Sequence, residues 1–237
     1  NIHRNPRGGR NFEYFSEDPI ISGIMAAEII KGANSESLVT TIKHFALNDQ
    51  ESYRHGVSIY SNEQAIREIY LPAFKAAVVE GNAWSIMGSY NLYNGQFNCH
   101  NKRLLMDILK GEWGFDGVVI SDWGGTHDTD QAITNGLDLE FGTGTNGVDE
   151  NIANAYDYYH LATPYKKKIL AGELPIEELD DKVRRVLRLN FRTQMGGNWG
   201  SMCTEEHFAD CRKIGSEGIV LLKNENNVLP MKADAKK

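Results

Sequence analysis

The feature that most constrains the fold is an alternation of short β-rich runs with longer helix-like stretches. Leu38–Phe45, Trp84–Asn91, Gly117–Ile120 and Leu137–Phe141 read as strands, carried by Val, Ile, Thr and aromatic residues. Asp18 and Pro19 supply helix-start chemistry, which predicts a helix over Pro19–Lys31 that buries Ile20, Ile24, Ala27 and Ile30 and ends at Gly32. Ser61–Glu80, Asn101–Glu112 and a segment near Thr126–Thr134 are the next helices, and Asn94-Gly95 reads as a turn. Strands separated by helices imply parallel pairing with crossover connections, an α/β fold. About five strand positions precede residue 142, fewer than the eight of a closed barrel. Asn1–Pro6 reads as the tail of an element, so an earlier segment is expected. No G-x-G-x-x-G follows a first strand and no P-loop is present, which disfavours a nucleotide-binding sheet.

After Gly142 the pattern changes. Gly142–Gly147 reads as a flexible loop, followed by helices over Asn151–Ala171 and Pro175–Arg192. The second places Ile176, Leu179, Val183, Val186 and Leu187 on one face and carries Glu177, Glu178, Asp180 and Asp181 early, where the helix dipole favours them. Gly196–Gly200 reads as a linker, Thr204–Glu217 as a helix and Gly218–Asn224 as a strand. The net charge of −7 argues against nucleic acid or an anionic membrane surface as partner. No apolar run approaches the roughly 20 residues of a membrane span. Cys99, Cys203 and Cys211 show no CxxC spacing and are read as free thiols. The seven histidines show no ligand spacing, so no metal and no cofactor are expected.

The chemistry sits at the strand ends. Parallel strands deliver their C-terminal residues to one face, and these ends read Lys43-His44, Met87 to Tyr90 and Asp122-Trp123, with His3 and Arg4 on the first loop. Cations, a carboxylate and aromatic rings suit a carbohydrate: charged donors bond its hydroxyls and a ring face stacks on its C–H face. A carboxylate among Arg and Lys is expected to have a lowered pKa and to stay ionised, free to attack an anomeric carbon. Each residue also has a structural reading. Asp122 could cap the next helix, Lys43 and Arg4 could form surface ion pairs, His44 could be a satisfied interior histidine, and Tyr90 could be packing. Asp49 and Glu51 could be solvated loop acids or partners of Lys43.

Five separated motifs occur together: His3-Arg-Asn-Pro6, Gly9-Arg-Asn-Phe-Glu-Tyr-Phe-Ser-Glu-Asp-Pro19, Lys43-His-Phe-Ala-Leu-Asn-Asp-Gln-Glu51 with Arg54, Gly88-Ser-Tyr-Asn-Leu-Tyr-Asn-Gly95, and Val119-Ile-Ser-Asp-Trp123. In this order and spacing they resemble glycoside hydrolase family 3, over essentially the whole chain. The resemblance implies that residues 1–195 are about the last two thirds of a (β/α)8 TIM-type catalytic barrel, and 196–237 a linker and the start of a second, α/β sandwich domain. It implies a retaining exo-β-glycosidase acting on terminal non-reducing β-D-glucosyl residues of β-glucosides or β-linked gluco-oligosaccharides. A β-xylosidase, a dual enzyme or a non-catalytic carbohydrate-binding homologue are the alternatives. Asp122 would be the nucleophile; Arg4, Lys43, His44 and Arg54 would hold the sugar hydroxyls; Met87, Tyr90 and Trp123 would line the subsite. The family's general acid/base Glu and an early substrate-binding Asp find no counterpart, so this stretch alone is expected to turn over weakly or not at all. A periplasmic or secreted location is implied by the resemblance alone.

Overall fold

The computed structural model describes residues 1–142, 157–193 and 200–233. The chain divides into two compact units, Asn1–Met195 and Gly196–Lys237.

In the first unit, β1 (Thr41–Phe45), β3 (Ser85–Gly88) and β6 (Val118–Ile120) form a parallel sheet in that order. Ile42 faces Ile86, and Ile86 faces Val119 across the ladder. A parallel bridge from Ile120 to Leu139 adds a fourth position beyond β6. Neighbours in space are thus successive α/β units in sequence, the progression of a (β/α)8 barrel. All four predicted strands are longer than the observed pairing: residues 38–40 precede β1, residues 89–91 follow β3 where the chain turns to the functional face, Gly117 precedes β6, and 137–141 is reduced to the bridge at Leu139. A three-stranded sheet follows there: β2 (Ser58–Ile59) runs parallel to β4 (Leu92–Tyr93), and β4 pairs with β5 (Gln96–Phe97) through the Asn94-Gly95 turn.

The helices depart from the reading in instructive ways. Helix α1 (Pro19–Ser35) is capped by Asp18, whose carboxylate accepts the Ile20 and Ile21 amides, and it runs past Gly32. It buries Ser22, Gly23, Ala27 and Ile30, whereas Ile20 and Ile24 are 63% and 56% exposed. Ala27 and Ile30 thus lie on the buried face as read from the sequence, and Ile20 and Ile24 do not. Small residues let α1 press against α3 (Pro72–Val79): a Cβ on Gly23 would lie 3.0 Å from the Ala76 Cβ. The predicted Ser61–Glu80 helix is interrupted. After the short α2 (Glu63–Ala65), Ile66–Tyr70 winds as π-helix, and the Leu71 amide bonds back to the Ile66 carbonyl at 2.8 Å. Pro72 is the cause, since proline donates no amide and its ring clashes with the preceding turn.

Arg103–Glu112 is a second π-type helix, whose Leu104, Leu105, Ile108 and Leu109 are fully buried. They join Phe45, Ile66, Ile86, Val119 and Leu137 in the main core, where the Phe45 ring meets Phe74 edge-on at 5.0 Å. Helices α4 (Thr129–Thr134), α5 (Thr163–Leu170) and α6 (Ile176–Arg192) complete the unit. Lys182 of α6 is buried and donates to the Ile133 and Leu137 carbonyls, closing the C-terminal end of α4. The predicted Gly142–Gly147 loop after its first residue, the start of the Asn151–Ala171 helix and most of the Gly196–Gly200 linker lie outside the described residues.

In the second unit, α7 (Glu205–Glu217) begins with a reciprocal cap between Thr204 and His207. Gly218–Asn224 is not the predicted strand: it pairs with no other strand among the described residues, and Ile219 to Leu222 are exposed. A β-run needs a ladder partner to become a strand.

Candidate active site

The three strand ends meet where the sequence places them. β1 ends with His44 and Phe45, both buried; β3 leads to Tyr90; β6 leads through Ser121 to Asp122. Asp122 is only 8% exposed, so its loop must be tightly braced. The bracing comes from the next strand position: the Ser121 amide donates to the Leu139 carbonyl at 2.9 Å, and the Phe141 amide to the Ser121 Oγ at 2.8 Å. The Gly125 amide turns back onto the Asp122 carbonyl, also at 2.9 Å.

The Tyr90 hydroxyl lies against the Asp122 carboxylate and favours its anion, while Asp122 Oδ2 has no hydrogen-bond partner among the described residues. His44 Nε2 stands 3.6 Å from that Oδ2, too long for a hydrogen bond. Burial, reinforced by Arg10 and Lys43, pulls the His44 pKa down to about 3, so the ring is neutral and forms no ion pair with Asp122. The expectation for Asp122 itself is corrected. Its pKa is raised, because desolvation outweighs the Tyr90 hydroxyl and the charges of Arg10, Arg54 and Lys43 that favour the anion.

Around this centre the cations are held by carboxylates. Arg10 grips Glu13 through two hydrogen bonds of 2.6 and 2.8 Å, and Lys43 Nζ donates to the same carboxylate at 2.6 Å. Glu13 is thereby drawn down to about pH 2, chiefly by Arg10. Arg54 bonds Glu51 and lies over the Tyr90 ring, 4.6 Å from its centroid. His55 packs on that ring as well, at 4.2 Å between centroids. Trp123 is 42% exposed and stacks on Phe141 at 5.2 Å and 17°, leaving an aromatic face open. Met87, partly buried in β3, pairs with Ile120. The buried Cys99 thiol is pushed up to about 12 by desolvation, so beside Asp122 it remains a protonated, unreactive group.

Lys43, His44, Arg54, Tyr90 and Asp122 are therefore brought together. Arg4 is not: its exposed guanidinium donates to the Tyr70 hydroxyl at 3.0 Å, which donates to Asp49 at 2.9 Å. Arg10 is the cation that the sequence reading missed, with Glu13 and Tyr14. The signal available was the Arg10/Glu13 spacing, which one turn of 3-10 helix at Asn11–Glu13 converts into a bidentate pair. Among the described residues no group of His, Cys, Asp and Glu is arranged to hold a metal ion.

The arrangement is a buried carboxylate with one oxygen unpartnered among the described residues, ringed by donors and beside an open aromatic face. Residues 1–189 match the family model described as glycosyl hydrolase family 3 N terminal domain. The chain belongs to glycosyl hydrolase family 3. Within family 3 it is 48% identical over 226 residues to the beta-glucosidase BoGH3A of Bacteroides ovatus, covering 94% of this chain and 30% of that protein. It is 38% identical over 234 residues to an exo-alpha-(1->6)-L-arabinopyranosidase of Bifidobacterium breve, covering 98% of this chain and 29% of the relative. Among solved structures it resembles DesR, a beta-glucosidase from Streptomyces venezuelae in complex with D-glucose, with a TM-score of 0.85 and 37% identity over 99% of this chain and 30% of that one. The chain thus spans about 30% of the length of the first family 3 relatives it matches.

Proposed function

We propose that this chain carries the nucleophile side of a retaining exo-β-glycosidase that removes terminal β-D-glucosyl residues. The observation that carries the reading is Asp122: a braced strand-end carboxylate whose Oδ2 has no hydrogen-bond partner among the described residues, with Tyr90 beside it. In the proposed reaction the Asp122 carboxylate attacks the anomeric carbon as the bond to the leaving oxygen breaks. The resulting glycosyl-enzyme ester is then hydrolysed by water. Arg10, Lys43, His44 and Arg54 bond the sugar hydroxyls, Met87 and Tyr90 line the subsite, and Trp123 stacks on the ring. Arg4 is left out of this set because Tyr70 and Asp49 occupy it.

The leaving oxygen needs a proton, and Glu13 is unsuited to give it. Arg10 and Lys43 hold it as an anion down to about pH 2. We assign the acid/base to no residue of this pocket. A retaining mechanism places that carboxyl roughly 5–5.5 Å from Asp122. We also read residues 196–237 as the linker and opening of a second domain.

The glucoside reading is supported by relatives that bear beta-glucosidase names. The arabinopyranosidase relative supports a second substrate reading, because such a sugar lacks the C6 hydroxymethyl and one small group changes discrimination by only about 1–3 kcal/mol. The test is a panel of aryl β-glucoside, β-xyloside and α-L-arabinopyranoside given to the full-length gene product, with the first-formed anomer followed by proton NMR. Release of β-glucose first supports the proposal. Release of the α-anomer first, or cleavage of none of the panel, contradicts it.

A further inference from the structure

One interaction behind the pocket has no part in the mechanism above. His44 has two ring nitrogens, and a neutral imidazole donates from one and accepts at the other. Which is which decides whether the ring offers the Asp122 side a donor or an acceptor. Nε2 faces Asp122 and Nδ1 faces the Tyr14 hydroxyl at 2.9 Å, with the phenol and imidazole rings edge to face at 83°.

The direction of that bond is set further back. Asn48 Nδ2 donates to Glu51 Oε1 at 3.2 Å and lies 3.5 Å from the Tyr14 oxygen. Glu51 is a carboxylate held by Arg54, so it accepts only. The Asn48 amide must therefore turn its NH2 towards Glu51, and the same NH2 donates to the phenol oxygen. Among the described residues Asn48 Nδ2 and His44 Nδ1 are the groups hydrogen-bonded to the Tyr14 hydroxyl; the amide NH2 can only donate, so the phenol proton goes to Nδ1. Burial holds the Tyr14 phenol near 12, so that proton is present throughout the working range.

We propose that Tyr14 is a positioning residue that locks His44 in its Nε2–H tautomer, so that the imidazole presents a donor towards Asp122 and the sugar. The polar line runs Arg54, Glu51, Asn48, Tyr14, His44, and it couples the loop after β1 to the nucleophile. A hydrogen-bond donor from Nε2 suits a sugar hydroxyl oxygen or the carboxylate; an Nδ1–H tautomer would set a lone pair against the free Oδ2 instead. The proposal rests on the reading that His44 faces bound sugar.

The test uses the full-length gene product labelled with 15N-histidine. A long-range 1H–15N spectrum near neutral pH separates protonated from unprotonated ring nitrogens, with the His44 signals assigned by their loss in His44→Gln. The expected result is a protonated Nε2 and a bare Nδ1 for His44. In Tyr14→Phe we expect the tautomers to mix and kcat/KM for an aryl β-glucoside to fall roughly five- to tenfold, the weight of one neutral hydrogen bond. Thermal melting of the variant checks that it folds. A protonated Nδ1 in the unaltered protein overturns the proposal, and that measurement needs no variant. An unchanged tautomer and unchanged kcat/KM in a folded Tyr14→Phe overturn it too. The expected tautomer in a protein that cleaves no glycoside leaves Tyr14's role standing and removes the reading of function.

Discussion

At the scale of the residue, the site depends on two opposed effects on one carboxylate. Burial raises the Asp122 pKa, while Tyr90 and three cations oppose it. Removing the Tyr90 hydroxyl should let burial win further. In Tyr90→Phe the acidic limb of kcat/KM is expected to move to higher pH, with activity falling roughly ten- to a hundredfold, the range of a hydrogen bond to a charged group. A limb that moves to lower pH would contradict this. In the proposed mechanism Asp122→Asn removes the attacking oxygen, and kcat is expected to fall by roughly four orders of magnitude or more, with folding unaffected. At this scale the sequence was informative wherever a residue ended a strand. Lys43, His44, Tyr90 and Asp122 could be placed on one face because parallel strands share their direction. Arg10, Glu13 and Tyr14 could not, because an irregular loop followed by one 3-10 turn has no period to read. The pKa direction of Asp122 was also out of reach, since desolvation is a property of packing.

At the scale of the element, the loop that carries Asp122 is held from outside β6. Gly142 shows how closely: its φ is +58°, and a Cβ there would collide with Cδ1 of Trp123. Gly142→Ala should therefore displace the indole. A rise in KM for aryl β-glucosides is expected, with a stability loss of about 1–2 kcal/mol from the left-handed backbone. An unchanged KM would separate Trp123 from substrate binding. The α1–α3 contact offers a stability test away from the site. Gly23→Val should destabilise by about 1–3 kcal/mol through overpacking against Ala73 and Ala76, seen as a lowered denaturant midpoint. This contact also explains why only part of the amphipathic reading of α1 held: the closest approach is made by glycine and alanine near Gly23, which leaves Ile20 and Ile24 exposed while Ala27 and Ile30 are buried. The π-helical turn before Pro72 was in principle readable, since proline within a helical pattern breaks it.

At the scale of the whole molecule, buried and paired groups link stability to pH. His44 is neutral when folded, with its pKa drawn down from 6.5 to about 3. The unfolded chain therefore binds more protons between those values, and stability should rise with pH across that window. Glu13, held at about 2 against an ordinary 4.5, acts in the same sense: its contribution is present above 4.5 and is lost as pH falls through 2. Asp122, raised, has the opposite sign. Replacing His44 by Gln should flatten the rise between pH 3 and 6.5 by about one proton's worth of slope, as read from denaturant midpoints at several pH values. An unchanged slope would mean that His44 is not neutral in the folded protein. The parallel α/β order was legible because strand and helix periods differ. The interplay of small sheet, loop and pocket at the strand ends was not, because two-residue strands such as Ser58–Ile59 carry no pattern of their own.

Whether Asp122 is the nucleophile is decided by a covalent trap. The full-length gene product is incubated with a 2-deoxy-2-fluoro-β-glucoside, which slows hydrolysis of the glycosyl-enzyme, then digested and mapped by mass. One fluoroglucosyl increment is predicted on the peptide spanning residues 117–126, absent from Asp122→Asn. A label on any other carboxylate, or turnover of β-glucosides that survives Asp122→Asn, would contradict it.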